Sequence, residues 1–100
     1  MIVVIARAEF DPARLDSIEV ALDAMMRASW AESGCLSHSM AVENRAEGIV
    51  SIVERWSTDA DLDAHLATPN MTAFRAAIDG AVRSIDAKVY NVTGERPLLI

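Results

Sequence analysis

Two short runs leave this 100-residue chain little freedom: "IVVIA" at residues 2–6 and "IVSIV" at residues 49–53. Both are rich in β-branched side chains, which suit the pleated surface of a strand. Successive side chains of a strand point to opposite faces, so an unbroken apolar run needs cover on both sides. Each run therefore belongs in the interior of a sheet. The first leads into a helix-start signature, with Asp11 as cap and Pro12 at the first helical position, where a missing N–H costs nothing. Leu15, Ile18, Leu22, Met25 and Met26 then recur at helical spacing and define one apolar face, predicted to end near Ser33 and Gly34.

From Cys35 to Glu43 the period shortens to two. Alternation places Leu36, His38, Met40 and Val42 on one side and Cys35, Ser37, Ser39 and Ala41 on the other, predicting a second strand. "ENRAEG" is a polar turn, so this strand and "IVSIVERW" form a hairpin. Thr58 is predicted to cap a helix, with Asp61 completing an S/T-x-x-D pattern and Asp59 beside it at the positive end of the helix dipole. Pro69 pushes Thr68 out of helical geometry and restarts a helix, whose apolar face is Met71, Phe74, Ile78, Ala81 and Val82. A last strand is predicted from Ile85 to Val92, before the tail "GERPLLI". The order βαββαβ predicts an α+β, ferredoxin-like fold with an antiparallel sheet, as a single domain over residues 1–100, with its first and third strands central.

A chain of this size buries only about 60 to 70% of the surface its unfolded form exposes. A deep private cavity is hard to build on that scale, and dimerisation would help. Nine basic residues against fifteen acidic ones give a net charge of −6 with no Lys/Arg cluster, which argues against nucleic acid as a partner. No apolar run approaches the roughly 20 residues of a membrane helix, so no membrane partner is expected. "MIVVIARAEF" lacks the basic start and small-residue cleavage site of a signal peptide, which makes the cytoplasm the expected location. Cys35 is the only cysteine, so no intrachain disulfide can form, and its expected role is that of a small buried apolar residue.

On the third strand, Val50, Ile52, Glu54 and Trp56 share one face. A carboxylate on so apolar a face needs a partner or a raised pKa, and the structural reading pairs Glu54 with an arginine or with backbone groups at the edge of the core. His65 lies on or beside the core-facing stripe of its helix, and His38 is in phase with Met40 and Val42. Each histidine alone reads as a hydrogen-bonded core residue. Two histidines and a tryptophan pointing inward from different elements read as a site. Metal is not expected: there are only two histidines, at no short ligand spacing, and the nearby carboxylates have a capping role. With no glycine-rich phosphate loop, no G-x-S-x-G and no H-E-x-x-H, an enzyme here would work with acid–base groups, aromatic surface and a dry pocket.

The stretch "VERWSTDADLDAHLATPNMTAF", with Gly34 and Cys35 opening the second strand after Glu32, resembles the antibiotic biosynthesis monooxygenase superfamily, most closely its quinol monooxygenase branch. The specific part is E-x-W, eight residues, H-L-x-T-P, and then an aromatic at Phe74. The resemblance implies a homodimeric α+β barrel in which two sheets pack face to face and each protomer keeps a pocket between sheet and helices. It also implies oxidation of a small quinol-like or polyphenolic substrate by O2, with no cofactor: no flavin, haem or metal. On that reading His65 is the base or hydrogen-bond partner, and Trp56 supplies an aromatic face and an N–H donor. Ile52, Leu62, Met71 and Phe74 form apolar walls, His38 is a reserve base, and Glu54 orients a neighbour. The pocket is expected to open to solvent along Trp56 and His65, and the apolar tail "PLLI" to be covered by the partner subunit. A non-catalytic dimeric module binding an aromatic ligand, or an isomerase on the same scaffold, are the alternatives.

Overall fold

The two apolar runs pair with each other in the middle of the sheet. The computed structural model describes all 100 residues and runs β1 (Ile2–Phe10), α1 (Leu15–Trp30), β2 (Cys35–Asn44), β3 (Ile49–Trp56), α2 (Asp59–Leu66), α3 (Pro69–Ile78) and β4 (Val82–Asn91). All neighbours are antiparallel, in the order β2-β3-β1-β4, which is the predicted ferredoxin-like arrangement with its second helix broken in two. No helix is long and apolar enough to cross a membrane.

The helices cover one face of the sheet. Ile2, Val4, Ala6, Ala8 and Phe10 of β1 are buried beneath them, with the even-numbered residues of β3 alongside. The larger core is built from Phe10, Leu15, Ile18, Leu22, Met25, Val50, Phe74 and Ile78 with smaller neighbours, so the predicted faces of α1 and α3 both point inward. A second, smaller cluster of Ile2, Val4, Trp56 and Leu62 fills the end of the sheet beneath α2. The opposite face is bare. Ile5 and Val53 stand opposite each other there, 49% and 44% exposed, and form an apolar patch between Arg7 and Arg55 that this chain leaves uncovered.

Local chemistry sets the boundaries. Asp11 Oδ1 accepts a hydrogen bond from the Ala13 N–H and starts a single 3-10 turn, Pro12–Arg14, ahead of α1. Thr58 and Asp61 form the reciprocal cap of α2: the Asp61 N–H donates to Thr58 Oγ1, and that hydroxyl donates to Asp61 Oδ2. Thr68 Oγ1 caps α3 by accepting from the Met71 N–H, with Pro69 in the first turn. Two expectations need correction. The third helix stops at Ile78 rather than running through Val82, because Gly80 turns the chain at φ +76°; Ala81 is buried in the core and Val82 already begins β4. In β2 the register shifts between Cys35 and Ser37, which sets Cys35 opposite Trp56 and packs it against the smaller cluster, while Leu36 is left 48% exposed.

Gly48 closes the β2–β3 turn at φ +72°, its carbonyl accepting the Phe10 N–H at 2.9 Å. A Cβ there would lie 2.1 Å from the Phe10 carbonyl oxygen, and backbone cannot swing aside as a flexible side chain can. Gly48→Ala is therefore expected to lower the unfolding free energy by about 2 kcal/mol or more. Gly94→Ala, where a Cβ meets nothing within 4 Å, should stay within about 0.5 kcal/mol. Urea unfolding of both variants checks this; equal stability of the two would contradict it.

Candidate functional site

The β2–β3 register sets His38 opposite Glu54, and the β1–β3 register sets Ile2 opposite Trp56. Glu54 and Trp56, two residues apart on one strand, point to the same inner face. The short link through Ser57 to the Thr58 cap folds α2 back over this end of the sheet. His65 thereby comes to lie over the indole of Trp56, with ring centroids 4.6 Å apart and an interplanar angle of 35°. His38 closes the group from β2, its ring 5.3 Å from His65 and 6.3 Å from Trp56 in an edge-on arrangement. The end of α1 holds β2 in place at this point, because the Trp30 Nε1–H donates to the His38 carbonyl at 2.8 Å.

Glu54 Oε1 is the centre of the group. It accepts the Trp56 Nε1–H at 3.0 Å and lies 3.6 Å from His38 Nε2 and 3.8 Å from His65 Nε2. Burying an indole is worth about 4 to 6 kcal/mol, against about 1 to 3 kcal/mol for leaving its N–H without an acceptor. The apolar term drives Trp56 inward, and Glu54 removes the penalty. Burial, partly opposed by the Trp56 hydrogen bond and by His65 and reinforced by Glu32, holds the Glu54 carboxyl above the ordinary carboxylate range. The arginine partner expected for Glu54 does not occur: the basic side chains beside it are His38 and His65, and Arg55 instead donates to Ser37.

One member of the site was not picked out from sequence. Glu32, just beyond the C-terminus of α1, places Oε2 2.8 Å from His65 Nδ1. Its signal was legible in principle, since an acid past the C-terminus of a helix sits where the dipole disfavours negative charge. An ionised carboxylate can only accept, so Glu32 favours the tautomer that carries its proton on Nδ1 and its lone pair on Nε2, on the side of Glu54. Cys35 is half-buried nearby; burial, with Glu32 and Glu54 behind it, raises its thiol pKa, so it remains a thiol rather than a nucleophilic thiolate.

The other residues singled out from sequence divide into two groups. Leu62 packs on Trp56 with Ile2 and Val4, inside the site. Ile52 and Met71 pack against the larger core instead, and Phe74 belongs to it. Phe74 lines a separate apolar cavity of about 200 Å³ between α1 and α3, with Ala21, Met25 and Ala77 among its neighbours. The anticipated open channel along Trp56 and His65 is replaced by a closed arrangement, with Trp56 fully buried and His65 and His38 each 3% exposed. Glu32 and Glu54 are the members that still touch solvent, their side chains 18% and 12% exposed.

Burial, with His65 adding to it, lowers the His38 pKa from 6.5 to about 4. Between these values the unfolded chain binds a proton that the folded chain refuses, so this group makes stability rise with pH across the window and contributes fully above it. Glu54 acts with the opposite sign: its raised folded pKa favours the folded state most at low pH and that contribution fades as pH rises through the folded value. Between pH 4 and pH 6.5 the urea midpoint of the unmutated chain should therefore gain on that of His38→Gln, which lacks the His38 contribution while keeping that of Glu54. An unchanged slope in the variant would contradict the assignment to His38.

The comparisons with known proteins agree with this fold. The Rv0793 protein of Mycobacterium tuberculosis superposes with a TM-score of 0.84 at 28% identity, covering 96% of this chain and 98% of that one. A solved antibiotic biosynthesis monooxygenase gives a TM-score of 0.84 at 23% identity over 94% and 100% of the two chains. The PA3566 protein of Pseudomonas aeruginosa gives 0.82 at 22% identity over 93% and 94%. These last two likenesses establish the fold. No match was found among curated proteins. The family model for antibiotic biosynthesis monooxygenase matches residues 1–77, a span holding Glu32, His38, Glu54, Trp56 and His65, and the chain belongs to that family.

Proposed function

We propose that this chain is a cofactor-independent monooxygenase that oxidises a quinol-like or polyphenolic small molecule with O2, acting as a homodimer. The observation that carries the reading is the Glu32–His65 pair, a carboxylate that holds one imidazole nitrogen protonated and leaves the other as a base beside an aromatic face. His65 Nε2 takes the phenolic proton of the substrate, and the resulting anion is rich enough in electrons to reduce O2. One oxygen atom enters the ring and the other leaves as water, the substrate supplying all four electrons. Trp56 gives the substrate a ring to lie against, and Leu62 with the neighbouring apolar side chains excludes water. Glu54 holds Trp56, and His38 stands as a second base behind it.

In this reading substrate reaches His65 when α2 lifts from the sheet. That helix is eight residues long, buries only Leu62 and His65, and ends at the Thr68–Pro69 break. The bare sheet face around Ile5 and Val53 and the exposed Leu98, Leu99 and Ile100 supply the apolar surface for a second protomer. The closed packing of Trp56 and His65 favours one other reading, a non-catalytic dimeric module that takes up an aromatic ligand without turning it over.

Oxygen uptake by flavin-free, metal-free protein with a panel of hydroquinones and anthrones separates the two. His65→Ala is expected to lower the rate by about 100-fold or more, and Trp56→Phe to lower it less. No uptake with any substrate, or full rate in both variants, would end the oxygenase reading. Deleting residues 95–100 should shift the sedimentation profile toward monomer; an unchanged profile would remove the tail from the interface.

A further inference from the structure

We propose that His38, Glu54 and His65 form a binding site for a divalent first-row transition cation of the zinc class. Each residue offers one donor atom, and the three lie within 4.8 Å of one another. The carboxylate-to-imidazole separations, 3.6 Å to His38 Nε2 and 3.8 Å to His65 Nε2, are too long for hydrogen bonds. A cation about 2.0 to 2.2 Å from each donor sets donor–donor distances near 3.3 Å, so small side-chain adjustments bring the triangle onto an ion.

Three further observations support the site. The outer shell is built for two of the three ligands: Glu32 lies 2.8 Å from His65 Nδ1, the carboxylate–histidine arrangement that presents Nε2 to a metal, and the Trp56 N–H fixes Glu54 Oε1 at 3.0 Å. His38 Nε2 makes no hydrogen bond, its nearest carboxylate oxygen standing 3.6 Å away, so its lone pair is free to take a cation, while the buried Nδ1 on the far side of the ring has no partner. The basic groups within 4 Å of the Glu32 and Glu54 carboxylates are the imidazoles of His38 and His65, never a lysine or arginine. A dication would balance both carboxylates with both imidazoles neutral. Two imidazoles and a carboxylate suit zinc, cobalt or iron(II), and three protein donors leave a coordination position open. The chemistry was hidden in the sequence because the donors come from β2, β3 and α2, with no short spacing to betray them.

The proposal goes beyond the oxygenase reading and does not depend on it. A cation on His65 Nε2 occupies the lone pair which that reading uses for proton transfer, so zinc should inhibit oxygen uptake.

The test is calorimetric titration of chelator-stripped, tag-free protein with Zn2+, in the absence of any organic substrate. One ion per chain is expected. His38→Gln, Glu54→Gln and His65→Gln should each weaken binding by about 100-fold or more, and Glu32→Gln by about 10- to 100-fold. Visible d–d absorption on adding Co2+ to the unmutated protein reports nitrogen and oxygen ligation even where a variant fails to fold. Absence of saturable Zn2+ binding by the folded protein at millimolar concentration, or undiminished binding in a folded His38→Gln variant, would overturn the proposal.

Discussion

A buried carboxylate on a central strand organises this molecule. Glu54 stands on the inner face of β3, where the alternation of the strand demands an apolar side chain, and its burial is tolerable only because its neighbours are polar. The indole N–H of Trp56 satisfies one oxygen atom, and the two histidines face the same atom from opposite elements. The β2–β3 register delivers His38, the capped start of α2 delivers His65, and the end of α1 delivers Glu32. A one-residue slip of β2 would turn His38 to the bare face of the sheet and leave Glu54 with only Trp56 and His65.

The apolar runs of β1 and β3 account for the rest of the architecture. Their inner faces carry the core, divided into a larger cluster under α1 and α3 and a smaller one under α2. The division matters for function. The end of the sheet near α2 holds the polar group, and its cover is one short helix anchored by Leu62 and His65. The other end is a conventional packed core with Phe74 in it. On the outer faces Ile5 and Val53 stay exposed, since this chain's own helices all lie on the other side of the sheet.

Much of this was legible in the sequence because it follows from local rules. Strand alternation, the Thr58–Asp61 cap and the Thr68–Pro69 break each placed an element correctly, and the inward phase of Glu54, Trp56, His38 and His65 brought those side chains together as read. What was missed depends on three-dimensional closeness. The register shift in β2 turns Cys35 inward against simple alternation, and nothing in its neighbours signals that. Glu32 meets a histidine 33 residues away, a pairing set by where a helix ends rather than by spacing. Ile52, Met71 and Phe74 have the right period for inner walls, but period alone could not tell the small cluster from the large one.

Glu32 fixes the proton on His65 Nδ1 and leaves Nε2 facing Glu54. Long-range nitrogen–proton NMR of the imidazole rings tests it directly, because the two nitrogens are distinguished by their couplings to the ring protons. A protonated Nδ1 is expected for His65, with a changed Nδ1 resonance in a Glu32→Gln variant. A His65 that carries its proton on Nε2 with Nδ1 bare would contradict it.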